Sequence, residues 1–211
     1  MRPPIAVEAS SRRPFATGIL PITSHQTMAK SKSSNKNNAN RNNAKKNGQD
    51  GPTVTAIIET PCGSRNKYSW DKERQGYRLK KVLPSGMSFP YNFGFVPDTV
   101  ADDGDPLDIL VLMDAPAFPG CIIDCQLLGA IQAEQRENGK AVQNDRLIAS
   151  DMNDASFSDV RGLDQLPKVL LHEIEAFFEN YNRVEGKEFK VLGYCDSKQA
   201  ARLIRKASRK K

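Results

Sequence analysis

The sequence is poor in histidine, the residue that most often transfers protons in enzymes. Its 211 residues include only His25 and His172. His25 precedes a low-complexity region, and His172 falls within a segment of helical apolar periodicity, so we expect both to be surface residues. Catalysis that depends on histidine is therefore not favoured.

Cysteine is also scarce, and long apolar segments are missing. The four cysteines, Cys62, Cys121, Cys125 and Cys195, match neither zinc-ligand spacing nor a framework of closely spaced disulfides, and we expect ordinary buried thiols. No apolar run approaches the roughly 20 residues that span a bilayer. No signal-peptide core is visible either. We therefore expect a cytoplasmic protein without a membrane partner.

The charge is divided unevenly along the chain, which has 31 Lys and Arg against 25 Asp and Glu. Residues 1–50 have nine basic residues and two acidic ones, and residues 202–211 have six basic residues and no acidic one. This leaves 16 basic against 23 acidic residues for 51–201. Because an acidic body repels phosphodiester backbones, the composition argues against a nucleic-acid groove.

Composition divides the chain into three parts. Residues 31–48 are mostly Ser, Asn and Lys, with no apolar residue larger than alanine, so they cannot bury enough surface to fold. We predict a disordered basic N-terminal extension over 1–50 and one folded domain over 51–201. A basic, solvated C-terminal tail is predicted over 202–211.

Short apolar segments and turns dominate the predicted domain. Strands are predicted at 54–59, 67–70, 77–83, 107–113 and 121–132, with an aromatic-rich segment at 89–96. Helices come late: one begins after Pro167 and another at Asp196 or Ser197. This order predicts a mainly β fold with some α structure. We expect a closed β-barrel of five to six strands, flanked by two C-terminal helices.

The most informative motif is a cluster of carboxylates at the start of the 107–113 strand. Asp103, Asp105 and Asp108 lie within the six-residue run D-G-D-P-L-D. Such crowded charges repel one another unless a cation neutralises them, and Mg²⁺ prefers oxygen ligands. A calcium loop is excluded, because Leu107 occupies a ligand position and the later glycine and glutamate are absent. A solvated acidic turn is the other interpretation that the run alone permits.

The run at 103–108 resembles the signature of soluble family I inorganic pyrophosphatases. I-E-T-P at 58–61 with N-K-Y at 66–68 resembles the opening strand pair of that family, and F-P-Y-N-F-G-F at 89–95 resembles its aromatic segment. Pro119-Gly120, N-D-R-L at 144–147 and F-F-E-N-Y at 177–181 follow in the expected order. The resemblance covers residues 53–205. It implies an OB-like barrel and an inorganic diphosphatase, a hydrolase of phosphorus-containing anhydrides.

The resemblance also implies which side chains bind metal. Asp103 and Asp108 correspond to Mg²⁺ ligands, with Asp108 bridging two ions. Asp105 corresponds to the carboxylate that accepts a proton from the attacking water, close to the metals. Glu59 corresponds to a carboxylate that holds metal-bound water or a further ion. Paired ions neutralise the substrate and acidify the water.

The residues that bind inorganic diphosphate are implied in the same way. They are Lys67, Lys81, Arg146 and Tyr181, and such groups position the departing phosphate without covalent chemistry. Lys81 replaces the usual arginine and loses its bidentate fork. Five further positions depart from the family pattern, where acidic, phenolic or basic residues are usual: Ser69, Phe93, Gln135, Asn144 and Asn182.

Neighbouring residues are candidate substitutes for the groups that are missing. Glu134, Glu137 and Asp145 could supply carboxylate oxygens, and Arg183 could supply a cation. We expect slower turnover, a higher Mg²⁺ requirement or a shifted substrate rather than inactivity.

Other functions stay open from the sequence. One is hydrolysis of a different phosphoanhydride. Another is a non-catalytic binding module with basic tails, although the retained acidic triplet has no purpose in such a module. Members of the resembling family often form homo-oligomers, so a homo-oligomer is an option here too.

Overall fold

The computed structural model describes residues 51–137 and 139–208. Its strands are β1 (Thr53–Thr60), β2 (Asn66–Asp71), β3 (Gly76–Val82), β4 (Asn92–Phe95), β5 (Asp108–Leu112), β6 (Ile122–Glu137), β7 (Lys140–Gln143), β8 (Arg146–Asp151) and β9 (Glu188–Asp196). The helices are α1 (Lys168–Val184) and α2 (Ser197–Ser208), with 3-10 turns at Ala155–Phe157 and Leu163–Gln165. The extension predicted over 1–50 lies outside the described residues.

Five strands close into a ring. β1 pairs with β4, β4 with β5, β5 with β8 and β8 with β6, and β6 returns to β1. Every pair in the ring is antiparallel except β5–β8, which is parallel. β9 extends β6 on the outside, and β2 and β3 form a separate hairpin. The predicted closed barrel of five to six strands is therefore confirmed.

β4 lies in the segment that the sequence marks only as aromatic-rich, and three further strands were not predicted. β8 is buried along its whole length, but its sequence R-L-I-A-S-D begins and ends on charged residues. β7 has only four residues, and β9 alternates exposed positions with partly buried ones. None of the three therefore shows the continuous apolar run that identifies β5.

The core has two parts, which lie on opposite faces of β5. Ile109 and Val111 belong to one cluster, which α2 joins through Ala200 and Ala207. Leu110 and Leu112 belong to the other, which α1 covers with Ile174, Phe177, Phe178 and Tyr181. Because successive side chains of a strand point to opposite faces, β5 contributes to both clusters. The two flanking helices are confirmed.

The end of the folded part differs from the prediction. The tail predicted over 202–211 begins inside α2, which continues to Ser208. Ala207 is buried, and its carbonyl oxygen accepts a hydrogen bond from the N–H of Val100 at 3.2 Å. The apolar face of α2 holds this segment on the core despite its basic residues, so the fold extends beyond residue 201.

Other expectations concern cysteine, histidine and membrane segments. Cys125 and Cys195 are buried free thiols as predicted, whereas Cys62 and Cys121 are half-buried. His172 is exposed. Neither described helix has the length and apolar composition needed to cross a membrane.

Gly94 is a point where two strands of the ring approach closely. A Cβ at this position would lie 2.0 Å from the carbonyl oxygen of Ile57 and 2.8 Å from the Cα of Ile58. Since both contacts are with backbone, a methyl group requires the strands to separate. We expect Gly94→Ala to lower the free energy of unfolding by about 2 kcal/mol or more, as overpacked sites do. Urea denaturation measures this change.

Gly76→Ala is the matched control. The nearest atom to a Cβ there is the carbonyl oxygen of Arg74, at 3.8 Å. We expect its free energy of unfolding to stay within about 0.5 kcal/mol of the parent. Equal losses of unfolding free energy in the two variants would show that the close approach of the strands at Gly94 is not the cause.

Candidate active site

One pocket, with a volume of about 420 Å³, brings together every site residue that the sequence analysis singled out. Its walls come from β1, the β2–β3 hairpin, the turn before β5, the start of β8 and the end of α1. The eight predicted residues that line it are Glu59, Lys67, Lys81, Asp103, Asp105, Asp108, Arg146 and Tyr181. The carboxylates and the cations of this set come mostly from different elements of the fold.

The turn before β5 supplies three of the carboxylates. Within it the N–H of Ala101 donates to the carbonyl oxygen of Asp105 at 2.7 Å, and the N–H of Asp105 donates to Oδ1 of Asp103 at 3.1 Å. Asp108 is the first residue of β5, where it pairs with Phe95. These bonds hold the carboxylates at one edge of the ring.

Glu59 faces this turn from the end of β1. Its Oε1 accepts a hydrogen bond from the N–H of Trp70 at 2.8 Å. Burial raises the pKa of Glu59, against the opposing effects of the Trp70 N–H and Lys67, and the charges of Asp108 and Asp105 raise it further. The ionised form of Glu59 is therefore disfavoured when no cation is near.

Asp103 has a similar electrostatic environment. Loss of solvent around its carboxyl group raises its pKa. The N–H of Asp105 lowers the pKa, Asp108 and Asp105 raise it, and Arg146 lowers it. Two carboxyl groups on this wall thus have raised pKa values for the same reasons, desolvation and mutual repulsion.

The opposite wall is formed by cations around one phenol. The Nζ of Lys81 lies 4.5 Å from the ring centroid of Tyr181, and the Nζ of Lys67 lies 5.3 Å from it. Lys67 also lies over the ring of Phe93, at 5.2 Å. Burial lowers the pKa of Lys81; the Tyr181 phenol raises it, and the charges of Lys67 and Lys187 lower it. This wall therefore presents ammonium groups fixed on aromatic faces.

Arg146 connects the two walls. Its Nη1 lies 2.5 Å from Oδ2 of Asp108, and its side chain is only 6% exposed. The guanidinium carbon lies 5.2 Å from the ring centroid of Phe178 and 5.6 Å from that of Phe189. Nη1 also donates to Oδ1 of Asn144. Stacking and hydrogen bonding therefore fix the guanidinium beside the carboxylates.

The positions that depart from the family pattern are also near the pocket. Ser69, Gln135, Asn144 and Asn182 line it, and Phe93 lies beneath Lys67. The Nδ2 of Asn144 donates to Oε1 of Gln135 at 2.9 Å. The two amides thus continue the hydrogen-bond chain that begins at Arg146, in place of two carboxylates.

The candidate substitutes do not reach the pocket, so that prediction is wrong. Glu134 pairs with Arg136 at 3.1 Å, and Glu137 pairs with Lys187 at 3.0 Å. Asp145 accepts the N–H of Ala133 at 3.1 Å, and Arg183 donates to Asn180 at 2.6 Å. Each group is held by a nearby residue, and none of the four lines the pocket. Four charged residues that were not predicted from the sequence also line the pocket: Lys72, Lys80, Glu185 and Lys187.

The carboxylate wall fits a magnesium site completed by substrate and water. No three His, Cys, Asp or Glu side chains within 51–137 and 139–208 form a ready-made metal cluster. Mg²⁺, however, is usually held by one or two carboxylates, with waters and substrate phosphates completing its octahedron. Raised pKa values on Glu59 and Asp103 mark carboxyl groups that a cation would stabilise in the ionised form.

Comparison with known proteins bears on this pocket directly. The family profile described as Inorganic pyrophosphatase matches residues 56–211. The chain belongs to this family. The resemblance of the D-G-D-P-L-D run and its neighbours is therefore confirmed at the level of the family.

Individual inorganic pyrophosphatases support the assignment. The protein of Halalkalibacterium halodurans is 44% identical over 151 residues, which cover 72% of this chain and 90% of the relative. The solved inorganic pyrophosphatase structure from Thermus thermophilus has a TM-score of 0.70 and 32% identity, covering 75% of this chain and 90% of that one. The structure from Helicobacter pylori has a TM-score of 0.69 and 33% identity, with coverages of 75% and 92%. The ring of strands has the OB-like fold of these pyrophosphatases.

The raised pKa of Glu59 predicts how the stability of the metal-free protein varies with pH. The folded protein keeps the proton to a higher pH than the unfolded chain, which titrates near 4.5. Between the two pKa values the folded state binds more protons, so the contribution of Glu59 to the free energy of unfolding falls as pH rises. Glu59→Gln removes the titrating carboxyl group, and with it this pH-dependent fall in the free energy of unfolding. The glutamine side chain keeps an oxygen that can accept the hydrogen bond from the Trp70 N–H.

We therefore expect Glu59→Gln, with chelator present, to be more stable than the parent at neutral pH. The advantage should shrink as pH falls towards 4.5. Thermal unfolding at a series of pH values measures it. Glu73→Gln, on the exposed turn of the β2–β3 hairpin, is the control and should show no such trend. If the difference in unfolding midpoint between Glu59→Gln and the parent were the same at every pH, burial would not raise the pKa of Glu59 as stated.

Proposed function

We propose that the protein is a Mg²⁺-dependent inorganic diphosphatase that hydrolyses inorganic diphosphate to two phosphates. One observation carries the proposal: a single pocket joins a carboxylate wall that fits divalent cations to a cationic wall that fits phosphate. Membership of the inorganic pyrophosphatase family supports it. The relatives with 44% and 41% identity are both named inorganic pyrophosphatases.

The carboxylate wall would hold the metal and accept the proton. Glu59, Asp103, Asp105 and Asp108 are the proposed Mg²⁺ ligands. When bound, the ions neutralise phosphate oxygens and make a coordinated water more acidic. Asp105 is the proposed general base, because its carboxylate is exposed to the pocket while its backbone is tied to Asp103 and Ala101.

The cationic wall would bind the two phosphates. Lys67 and Lys81 are cross-strand partners in the β2–β3 hairpin, and both face the ring of Tyr181, so three donors converge without a flexible loop. The ion pair and the hydrogen bonds that the Arg146 guanidinium makes with other described residues use Nη1. Nη2 is therefore available to a phosphate oxygen. Positioning and charge neutralisation suffice for phosphoryl transfer to water.

Some proposals rest on the sequence and the family resemblance alone. These are cytoplasmic location, a disordered basic extension at 1–50, a homo-oligomeric state and the absence of nucleic acid as a partner. The altered residues at Ser69, Gln135, Asn144 and Asn182 are proposed to change rate or specificity.

Replacing the proposed base tests the mechanism. We expect Asp105→Asn to lower kcat by about 100-fold or more, because general base catalysis contributes at least that much. Phosphate release from Mg²⁺ and diphosphate measures it. Asp102→Asn is the matched control, since Asp102 directly precedes the acidic run but does not line this pocket, and we expect it to keep the parent activity.

The result also separates the alternatives. Equal activity in the parent and in Asp105→Asn would refute the assignment of the base. Release of phosphate from tripolyphosphate or a nucleoside triphosphate, but not from diphosphate, would favour a different phosphoanhydride. A parent that releases phosphate from none of them would favour a binding module.

Metal binding is a second test. We expect calorimetric titration with Mg²⁺ to detect binding that Asp108→Asn weakens about tenfold or more, because the amide has no charge to offset the cost of dehydrating the ion. Bound Mg²⁺ should also raise the midpoint of thermal unfolding, as any ligand of the folded state does. Asp124→Asn is the control. Asp124 is an exposed residue of β6 whose Oδ1 accepts a hydrogen bond from Thr55, and this variant should bind Mg²⁺ as the parent does. Binding unchanged by Asp108→Asn would contradict the proposed ligand set.

A further inference from the structure

A tight turn after α1 directs a lysine back to the pocket. α1 ends at Val184, and Gly186 follows with φ of 72°, a conformation that side chains other than glycine rarely adopt. The N–H groups of Glu185 and Lys187 donate to the carbonyl oxygen of Asn182 at 2.9 and 3.0 Å. These bonds fix the turn, and both Glu185 and Lys187 line the pocket.

The ammonium group of Lys187 is held at the rim by one carboxylate. Its Nζ lies 3.0 Å from Oε2 of Glu137, the last residue of β6. The Lys187 side chain is 25% exposed, whereas that of Glu137 is 51% exposed and lies outside the pocket lining. Because an ammonium group has three donors, one carboxylate leaves two of them for another partner.

Beside Tyr181 the pocket has less positive charge than the family pattern provides. Asn182 follows Tyr181 where the family pattern has a lysine, and its Nδ2 donates to the carbonyl oxygen of Phe178 at 2.8 Å. Glu185 lies inside the pocket and pairs with Lys81. The lysine that faces Tyr181 is therefore partly neutralised, and no cation comes from position 182.

Lys187 is close enough to compensate for this deficit. Its charge acts on Lys81, where it lowers the pKa in addition to the larger effect of burial. Glu137 is half exposed, so solvent screens the charge that it brings to Lys187. Lys187 thus retains positive charge in the pocket lining, close enough to Lys81 to act on it.

We propose that Lys187 binds a phosphate oxygen of the substrate and supplies the positive charge that Asn182 lacks, with Glu137 as its positioning residue. The inference rests on the proposed diphosphatase function, of which it names a further substrate-binding residue. Lys187 belongs to the turn after α1, and Glu137 belongs to the β6–β7 hairpin. Substrate binding would therefore depend on two elements that lie outside the acidic motif.

Steady-state kinetics of Lys187→Ala test the proposal. We expect KM for Mg²⁺-diphosphate to rise about tenfold, the lower end of what a hydrogen bond to a charged group contributes, because the side chain is partly exposed. The value of kcat should stay within about threefold, since the reacting atoms keep the proposed base and metal ligands. Lys187→Arg should restore most of the affinity.

Two further variants define the control and the role of Glu137. Lys190→Ala removes an exposed lysine of β9 that does not line the pocket, and it should leave KM unchanged. Glu137→Ala should raise KM less than Lys187→Ala does. Combined with Lys187→Ala it should add nothing further, because a positioning residue acts only through its partner.

The outcomes separate this inference from the proposed function. If the parent is active and Lys187→Ala leaves KM unchanged, the role of Lys187 is overturned and the proposed function stands. The same holds if Lys190→Ala raises KM as much as Lys187→Ala does. If the parent releases no phosphate, calorimetric binding of methylenediphosphonate, which cannot be hydrolysed, tests Lys187 directly. About tenfold weaker binding by Lys187→Ala, or by Lys187→Gln if the alanine variant is unstable, supports it, and equal binding overturns it.

Discussion

The parallel pairing of β5 with β8 is the constraint on which the site depends. Ile109 lies opposite Leu147 in the register, so the residues before them, Asp108 and Arg146, emerge side by side at one edge of the ring. Both strands are buried on both faces, as parallel strands usually are. A slip in register would move apolar side chains out of the core, and the ring therefore fixes the distance between this carboxylate and this guanidinium.

The ion pair between Asp108 and Arg146 joins a carboxylate and a cation of the pocket. Arg146 lies among the aromatic rings of Phe178 and Phe189, where solvent cannot replace Asp108 as a partner. A buried charge of this kind requires a counter-charge, since removing one member of such a pair leaves the other unpaired. The acidic turn and β1 supply Asp103, Asp105 and Glu59, and the β2–β3 hairpin supplies the lysines that face Tyr181. The fold thus brings metal-binding and phosphate-binding groups from different elements, and part of their charge is neutralised within the pocket, by the pairs Asp108–Arg146 and Glu185–Lys81.

The parts of the fold that the sequence predicts are those with a strong local signal. β5 was predicted from its run of consecutive apolar residues, four of which the structure buries. α1 was predicted because Ile174, Phe177, Phe178 and Tyr181 recur at helical spacing. β8 was missed because its burial depends on partners distant in sequence, which also allow a charged first residue, Arg146, to be buried.

The same distinction applies to the pocket. The acidic turn is contiguous, so the residues alone indicated it, whereas Glu59, Lys67, Lys81, Arg146 and Tyr181 came from the family resemblance. Lys187 gave no signal in either way, because its position depends on the turn at Gly186 and on Glu137 from another strand. The expected substitutes were wrong for a related reason: nearness in sequence did not overcome the local partners of those side chains.

The two amides near Arg146, those of Gln135 and Asn144, affect how strongly Asp108 would bind a metal ion. Gln135 and Asn144 preserve the hydrogen bonds that hold the guanidinium, but they remove negative charge next to it. Asp108 is then the one acidic side chain within ion-pairing distance of Arg146 among the described residues. A cation that binds Asp108 must compete with this guanidinium, whose charge also acts on Asp103 and Asp145 from a greater distance. The proposed Mg²⁺ site would therefore be weaker than one in which carboxylates occupy those two positions, and substrate phosphate, by engaging Arg146, would favour metal binding at Asp108.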